Sequence, residues 1–178
     1  EIIPAWTVTG FNIKWSNSPP TTQVDFSDHL YSDVSGGWHP ELIVGRIIGN
    51  DADDLRVPIQ TALRPNFDRS HAVTVSGTGG GQDKFVANVN DVEKILKGEK
   101  FSVSKLHWKD YSTTAQRVQQ FRNRATDRDL IFYRNHGGID SWDSTLTTAD
   151  FPVNFGTTTP FVYSSACLTG DYESGNDA

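Results

Sequence analysis

From Glu41 onward, short β-branched apolar runs alternate along the chain with stretches whose apolar residues recur at helical spacing. Leu42-Ile43-Val44-Gly45-Arg46-Ile47-Ile48 has the length and composition of a buried strand. Asn50 or Asp51 is placed to cap a following helix, with Asp53 and Asp54 near its positive end. Leu55, Ile59, Ala62 and Leu63 fall on one face of that helix, and Pro58 marks a kink or a later start. His71–Val75 is the next expected strand, followed by a glycine-rich loop over Gly77–Gly81. Asn88–Lys97 reads as a helix stopped by Gly98, Phe101–Trp108 as a strand, and Thr113–Thr126 as a helix. The inward stripe of the last is Ala115, Val118, Phe121 and Ala125. Two further apolar runs, Asp129–Tyr133 and Pro160–Tyr163, read as buried strands.

Repeated strand–helix–strand units predict an α/β fold with a mainly parallel sheet and helices on both faces. The first 40 residues fit this rhythm less well. Trp6, Val8 and Phe11 suggest a strand there, whereas Pro19-Pro20 and Gly36-Gly37 suggest loops. The expected organisation is therefore an irregular N-terminal segment, 1–40, before a single domain over 41–178.

Composition narrows the function. The formal net charge of −6 argues against a general polyanion binder, which needs clustered Lys and Arg. Arg117, Arg122, Arg124 and Arg128 lie along the Thr113–Thr126 helix or just past it and read as a solvated helix face. No apolar run reaches the roughly 18 to 20 residues of a membrane-spanning helix. Glu1–Trp6 has no signal-peptide character, and the sequence contains no Met, so the chain reads as a processed or excised piece of something longer.

A single cysteine excludes an internal disulfide framework and a multi-thiolate zinc site. That lone thiol, Cys167, is either a small buried hydrophobe or a nucleophile. Its placement favours the second reading. Both Cys167 and His136 come just after an apolar strand, and open α/β sheets bind ligands beyond the carboxyl ends of their strands. If the two strands are parallel neighbours, imidazole and thiol emerge at one edge. A nearby imidazole lowers a thiol pKa and carries protons. Gly137 and Gly138 follow the histidine, and a backbone N–H there, with that of Cys167, is suited to hold a developing oxyanion. Taken alone, His136 reads equally well as a turn histidine.

These blocks resemble the gingipain family of clan CD cysteine peptidases, which share a caspase-like fold. The family's histidine block is matched by Asn135-His136-Gly137-Gly138 with Trp142, and its nucleophile block by Ala166-Cys167-Leu168-Thr169-Gly170-Asp171-Tyr172. Ser27–Asp33 and Pro40–Arg46 resemble an upstream block, and the three stand in family order over residues 27–172. The resemblance implies a caspase-like three-layer sandwich, incomplete at its C-terminal side. It implies an endopeptidase whose Cys167 attacks the peptide carbonyl, with His136 as proton carrier and the N–H groups of Gly137 and Cys167 as oxyanion hole. Trp142 would wall the substrate cleft or serve as a core aromatic. Some relatives place an acid behind the histidine; Asp83 and Glu93 are the candidates here, by region only.

The acidic loop that suits calcium in related sequences is reduced here to Asp33–Trp38, so a structural calcium has few ligands to draw on. The resemblance further implies a protein or peptide substrate and a secreted or surface location. The caspase-like domain would be completed by a second chain cut from the same precursor, or the chain end at Ala178 is a truncation or the start of disorder. Other signals point nowhere specific. The Ser76–Gly81 loop lacks the Lys-Ser/Thr of a phosphate loop, the remaining histidines lack metal-helix spacing, and no Gly-x-Ser-x-Gly is present. The rival readings are a binding or adhesion module that has lost activity, with Trp6, Trp15, Trp38 and Tyr31 as a glycan platform, and a sortase-like transpeptidase using the same acyl-enzyme.

Overall fold

A computed structural model describes residues 6–13, 21–27, 29–36, 39, 41–42, 51–63, 70–78 and 82–169. The chain forms two compact units, 1–55 and 56–178.

In the first unit, β1 (Trp6–Ile13) pairs antiparallel with β2 (Thr21–Ser27), from Trp6 opposite Ser27 to Ile13 opposite Thr21. The register shifts between Thr9 and Phe11, which leaves Gly10 as the extra residue of a bulge. The strand expected around Trp6, Val8 and Phe11 is thus present. A short helix, α1 (His29–Ser32), ends with the Ser32 carbonyl accepting from the N–H groups of Glu41 and Leu42 at 2.9 and 3.1 Å. The strand expected over 42–48 lies, beyond Leu42, outside the described residues.

Helix α2 (Ala52–Ala62) crosses the boundary between the units. Asp51 caps it, Oδ1 accepting from the N–H groups of Asp53 and Asp54 at 2.7 and 3.1 Å. Pro58 sits inside the helix, which continues through it. Its expected apolar face is not buried: Ile59 is 45% exposed and Leu63 77%. Helical spacing was present, but the burial it suggested is not realised among the described residues.

The second unit is built on a four-stranded sheet of order β4-β3-β5-β9, parallel throughout. Its strands are β3 (His71–Ser76), β4 (Ser102–His107), β5 (Leu130–Arg134) and β9 (Phe161–Ser165). β3 is central and buried after its first residue, so its polar Thr74 and Ser76 lie inside along with Ala72, Val73 and Val75. Its side chains alternate between faces. Val73 and Val75 join Leu106, Ile131 and Tyr133 in one core cluster with Val118, Phe121 and Ala125 of α4 (Thr114–Ala125). The other face of β3, with Ala72, Thr74 and Ser76, is left to α3 (Gln82–Gly98), whose buried residues include Phe85 and Val89. The result is the mixed α/β layering of a caspase-like fold.

Helix α4 starts where its capping box dictates. Thr113 Oγ1 accepts from Gln116 N–H, and Gln116 Oε1 accepts from Thr113 N–H, each at 3.2 Å. Ala115, expected in its inward stripe, is exposed, because the buried arc runs through Val118, Phe121 and Ala125. α3 begins six residues before the expected Asn88, since its first turn carries Phe85 against the sheet.

β9 is a correction. It was expected as a buried strand, yet Phe161, Val162 and Tyr163 are 58%, 46% and 52% exposed. It pairs with β5 alone, at the edge of the described sheet. Phe132 of β5 stacks on Tyr163 at 5.5 Å between centroids and supplies part of its cover.

Asp129 ties the N-terminal ends of these strands together. Its Oδ2 accepts from the N–H groups of Ser70 and His71 at 3.2 and 2.9 Å. Its own N–H donates to the His71 carbonyl, and its carbonyl accepts from Phe161 N–H at 2.8 Å. The carboxylate is buried, so Asp129→Ala strands two backbone donors and should cost about 2 kcal/mol in urea unfolding. A midpoint unchanged in urea would show that the knot carries no stability.

Candidate active site

Two neighbouring strands bring the site together at the C-terminal rim of the sheet. β5 runs into Arg134-Asn135-His136, and β9 into Ala166-Cys167. The last paired rung is Arg134 opposite Ser165, so His136 and Cys167 each lie two residues beyond it on adjacent parallel strands. Neighbouring strands are about 4.8 Å apart, so the register alone brings both residues to one edge. Both are exposed, and Cys167 is a free thiol.

The rim is braced from below. Arg134 Nη1 donates to the Ser165 carbonyl at 2.9 Å, joining the strand ends. Its guanidinium also lies over the Phe85 ring, 4.8 Å from the centroid. Phe85 presents an edge-to-face contact to the His136 imidazole, with centroids 5.3 Å apart and planes at 89°. α3 thus supplies an apolar buttress for the imidazole.

The histidine and cysteine loops touch at Gly137. A methyl group there would lie 2.6 Å from the Cys167 carbonyl oxygen and 2.5 Å from Thr169 Cγ2, so only glycine fits. The cysteine loop turns tightly through Leu168 at φ 58°, held by Thr169 Oγ1, which donates to the Ala166 carbonyl at 3.3 Å.

Beyond His136 the chain forms a three-stranded antiparallel sheet of β6 (Gly137–Gly138), β7 (Ser141–Trp142) and β8 (Leu146–Thr147). Trp142 packs in the core and also borders a cavity. Its ring stacks flat on Tyr133 at 4.1 Å and meets the Phe121 edge at 5.8 Å, as a core aromatic does. It also lines a cavity of about 370 Å³ with Leu146, Phe151, Val162, Ser164 and Thr169.

The two candidate acids are engaged elsewhere. Asp83 is exposed and ion-paired with Lys109 at 3.7 Å. Both oxygens of Glu93 take lysines, Lys105 at 2.7 Å and Lys97 at 2.6 Å. Hydrogen bonds from Lys105, then Lys97, hold the Glu93 carboxyl below the usual carboxylate range. Among the described residues no group of three or more His, Cys, Asp or Glu is placed to hold a metal ion. In the loop read as a reduced calcium site, the N–H of Val34 and the hydroxyl of Ser35 donate to the Glu41 carboxylate.

Sequence reasoning missed Tyr133, Asp143 and Thr78. The Tyr133 hydroxyl donates to the His136 carbonyl at 2.8 Å, and Asp143 N–H donates to the same oxygen at 3.1 Å. Asp143 Oδ2 accepts from both the N–H and the Oγ1 of Thr78, each at 2.7 Å. The available signal was Asp143, a residue type that tolerates positive φ; it and Ser144 both adopt 51°.

A parallel α/β sheet of caspase-like layering, with a histidine loop and a cysteine loop meeting at its C-terminal rim, is the architecture of one class of cysteine peptidases. The profile of peptidase family C25 matches residues 1–178, the whole chain. The chain belongs to that family, the gingipain family of clan CD. A stretch of 104 residues, 58% of the chain, is also 32% identical to capsid protein VP1 of Chlamydia phage 1, and it spans 16% of that protein. No solved structure matches the chain. Among the described residues no helix is long and apolar enough to cross a membrane.

Proposed function

We propose that this chain carries the catalytic dyad of a cysteine endopeptidase, His136 and Cys167, working through a thioester. The observation that carries the reading is the β5–β9 register, which delivers both side chains to one rim while their loops touch at Gly137. Membership of family C25 supports it.

In this reading the Cys167 sulfur attacks the carbonyl carbon of the scissile peptide, and the thiol proton passes to the His136 imidazole. Negative charge develops on the carbonyl oxygen, between the N–H groups of Gly137 and Cys167. Such preorganised donors are typically worth about 3 kcal/mol each at the transition state. The C–N bond then breaks as His136 returns its proton to the leaving amine. Water attacks the thioester as His136 takes a proton from it; the C–S bond then breaks, the carboxylic acid product leaves, and His136 returns the proton to the sulfur to restore the free thiol. Trp142 and its cavity form one wall of the substrate cleft. The substrate is a protein or peptide, and the peptidase works outside the cell or at its surface, as the family resemblance implies.

A peptidyl acyloxymethyl ketone tests this directly: peptide mapping should place its adduct on Cys167. The pH dependence of iodoacetamide alkylation separates this reading from an inactive binding module of the same fold. An imidazole-activated thiol alkylates fast near neutrality. A rate that climbs only toward the pKa of about 8.5 of a free thiol would sink the dyad.

A further inference from the structure

We infer that Tyr133 and Asp143 are positioning residues that lock the peptide plane between His136 and Gly137 and thereby aim the Gly137 N–H at the oxyanion. The inference rests on the proposed peptidase reading and deepens it, because it names what builds the oxyanion hole.

The problem to be solved is rotational. Gly137 and Gly138 follow one another, and glycine leaves backbone torsions loosely determined. A donor that wanders is of little catalytic use, since stabilisation depends on dipoles already aimed where charge develops. The remedy is on the other side of the same peptide unit. A trans peptide is planar, so its C=O and N–H point in opposite directions. Fixing the His136 carbonyl therefore fixes the Gly137 N–H.

That carbonyl is held twice, by the Tyr133 hydroxyl at 2.8 Å and the Asp143 N–H at 3.1 Å. Two donors fill the two lone pairs a carbonyl offers. Neither donor is free to drift. The Tyr133 ring is fully buried, stacked on Trp142 at 4.1 Å and tilted against Trp108 at 5.5 Å. Burial, then the Asp143 charge, pushes its hydroxyl far above the ordinary phenol range, so it stays a donor at any working pH. Asp143 is anchored through its carboxylate, which takes both the N–H and the hydroxyl of Thr78, two residues past the end of β3.

Strand register supplies the direction. In an antiparallel pair, residues flanked by a bond between their outer neighbours are a non-hydrogen-bonded pair, whose own N–H groups face outward. Gly137 pairs with Trp142, and the flanking bond runs from Asp143 N–H to the His136 carbonyl. The Gly137 N–H thus points away from β7, while the Gly137 α-carbon packs against the Cys167 loop.

Tyr133→Phe deletes one clamp and keeps the stacked ring. The expected result is a kcat for peptide hydrolysis about tenfold lower with KM little changed, a partial version of losing an oxyanion donor outright. Affinity for a peptidyl aldehyde should weaken by a similar factor, because its hemithioacetal oxygen uses the same N–H. Alkylation by iodoacetamide displaces iodide at a saturated carbon and makes no oxyanion, so its rate should not move. Asp143→Gly, which suits the positive φ and removes the anchor to Thr78, should show the same split and carries the test if Tyr133→Phe does not fold. Loss of alkylation in step with kcat, or no loss of kcat and aldehyde affinity, overturns the inference. A wild-type chain that neither hydrolyses peptides nor binds the aldehyde overturns the peptidase reading as well, whereas an active wild type indifferent to both variants overturns this one alone.

Discussion

Cys167→Ala should reduce peptide hydrolysis by roughly 10⁴-fold or more, the scale on which removing a covalent nucleophile acts. The expectation is stronger here than in most thiol enzymes, because the chain contains one cysteine and no other thiol can stand in. Stability should hardly change. Cys167 is exposed, forms no disulfide, and loses only a sulfur already in water. Surface changes of that kind usually stay within about 0.5 kcal/mol. The combination is the test: a fluorogenic peptide should show turnover gone while the urea midpoint stays put. Turnover that survives would remove Cys167 from the chemistry. A collapsed midpoint would mean that the cysteine loop is structural, and the lost activity would then say nothing about a nucleophile.

What was legible before the fold was known follows from what hydrophobic pattern measures. Pattern reports burial and periodicity, so β3 and β5, buried in the sheet, read clearly, as did α4 with its Thr113–Gln116 box. The same logic misleads at β9, whose apolar run has the pattern of a buried strand although it sits at the edge of the described sheet. Composition of a run cannot say which strands become neighbours. The proximity of His136 and Cys167 was therefore a conditional expectation, and the β5–β9 register supplies the missing condition. The clamp on the His136 carbonyl was invisible for another reason. Tyr133 alternates correctly for a core aromatic, and only the positions of its hydroxyl and of the Asp143 turn reveal a second use. Asp83 and Glu93 illustrate the reverse case, where carboxylates in the right region turn out to hold lysines.

Gly137→Ala should be the next most damaging change after loss of the nucleophile, through geometry alone. The added methyl would sit 2.6 Å from the Cys167 carbonyl oxygen and 2.5 Å from Thr169 Cγ2, distances no real Cβ contact sustains. The carbonyl is backbone and cannot swing aside, so one of the two loops must retreat. Either retreat separates His136 from Cys167 or rotates the peptide plane that Tyr133 and Asp143 hold. A misplacement of about 1 Å in a positioned reaction costs on the order of 10²-fold, and disturbing the proposed oxyanion donor at the same time should carry the loss toward 10³-fold. The neighbouring residue calibrates the claim. A methyl on Gly138 meets Ser141 Oγ at 3.2 Å and Asp140 Oδ1 at 3.5 Å, both side-chain atoms that can yield by rotation. Gly138→Ala should therefore lose far less activity than Gly137→Ala at equal expression and comparable urea midpoints. Equal losses from the two variants would show that glycine is needed for local flexibility and not for the approach of the loops. Full activity in Gly137→Ala would mean that the two loops do not meet at all in the working peptidase.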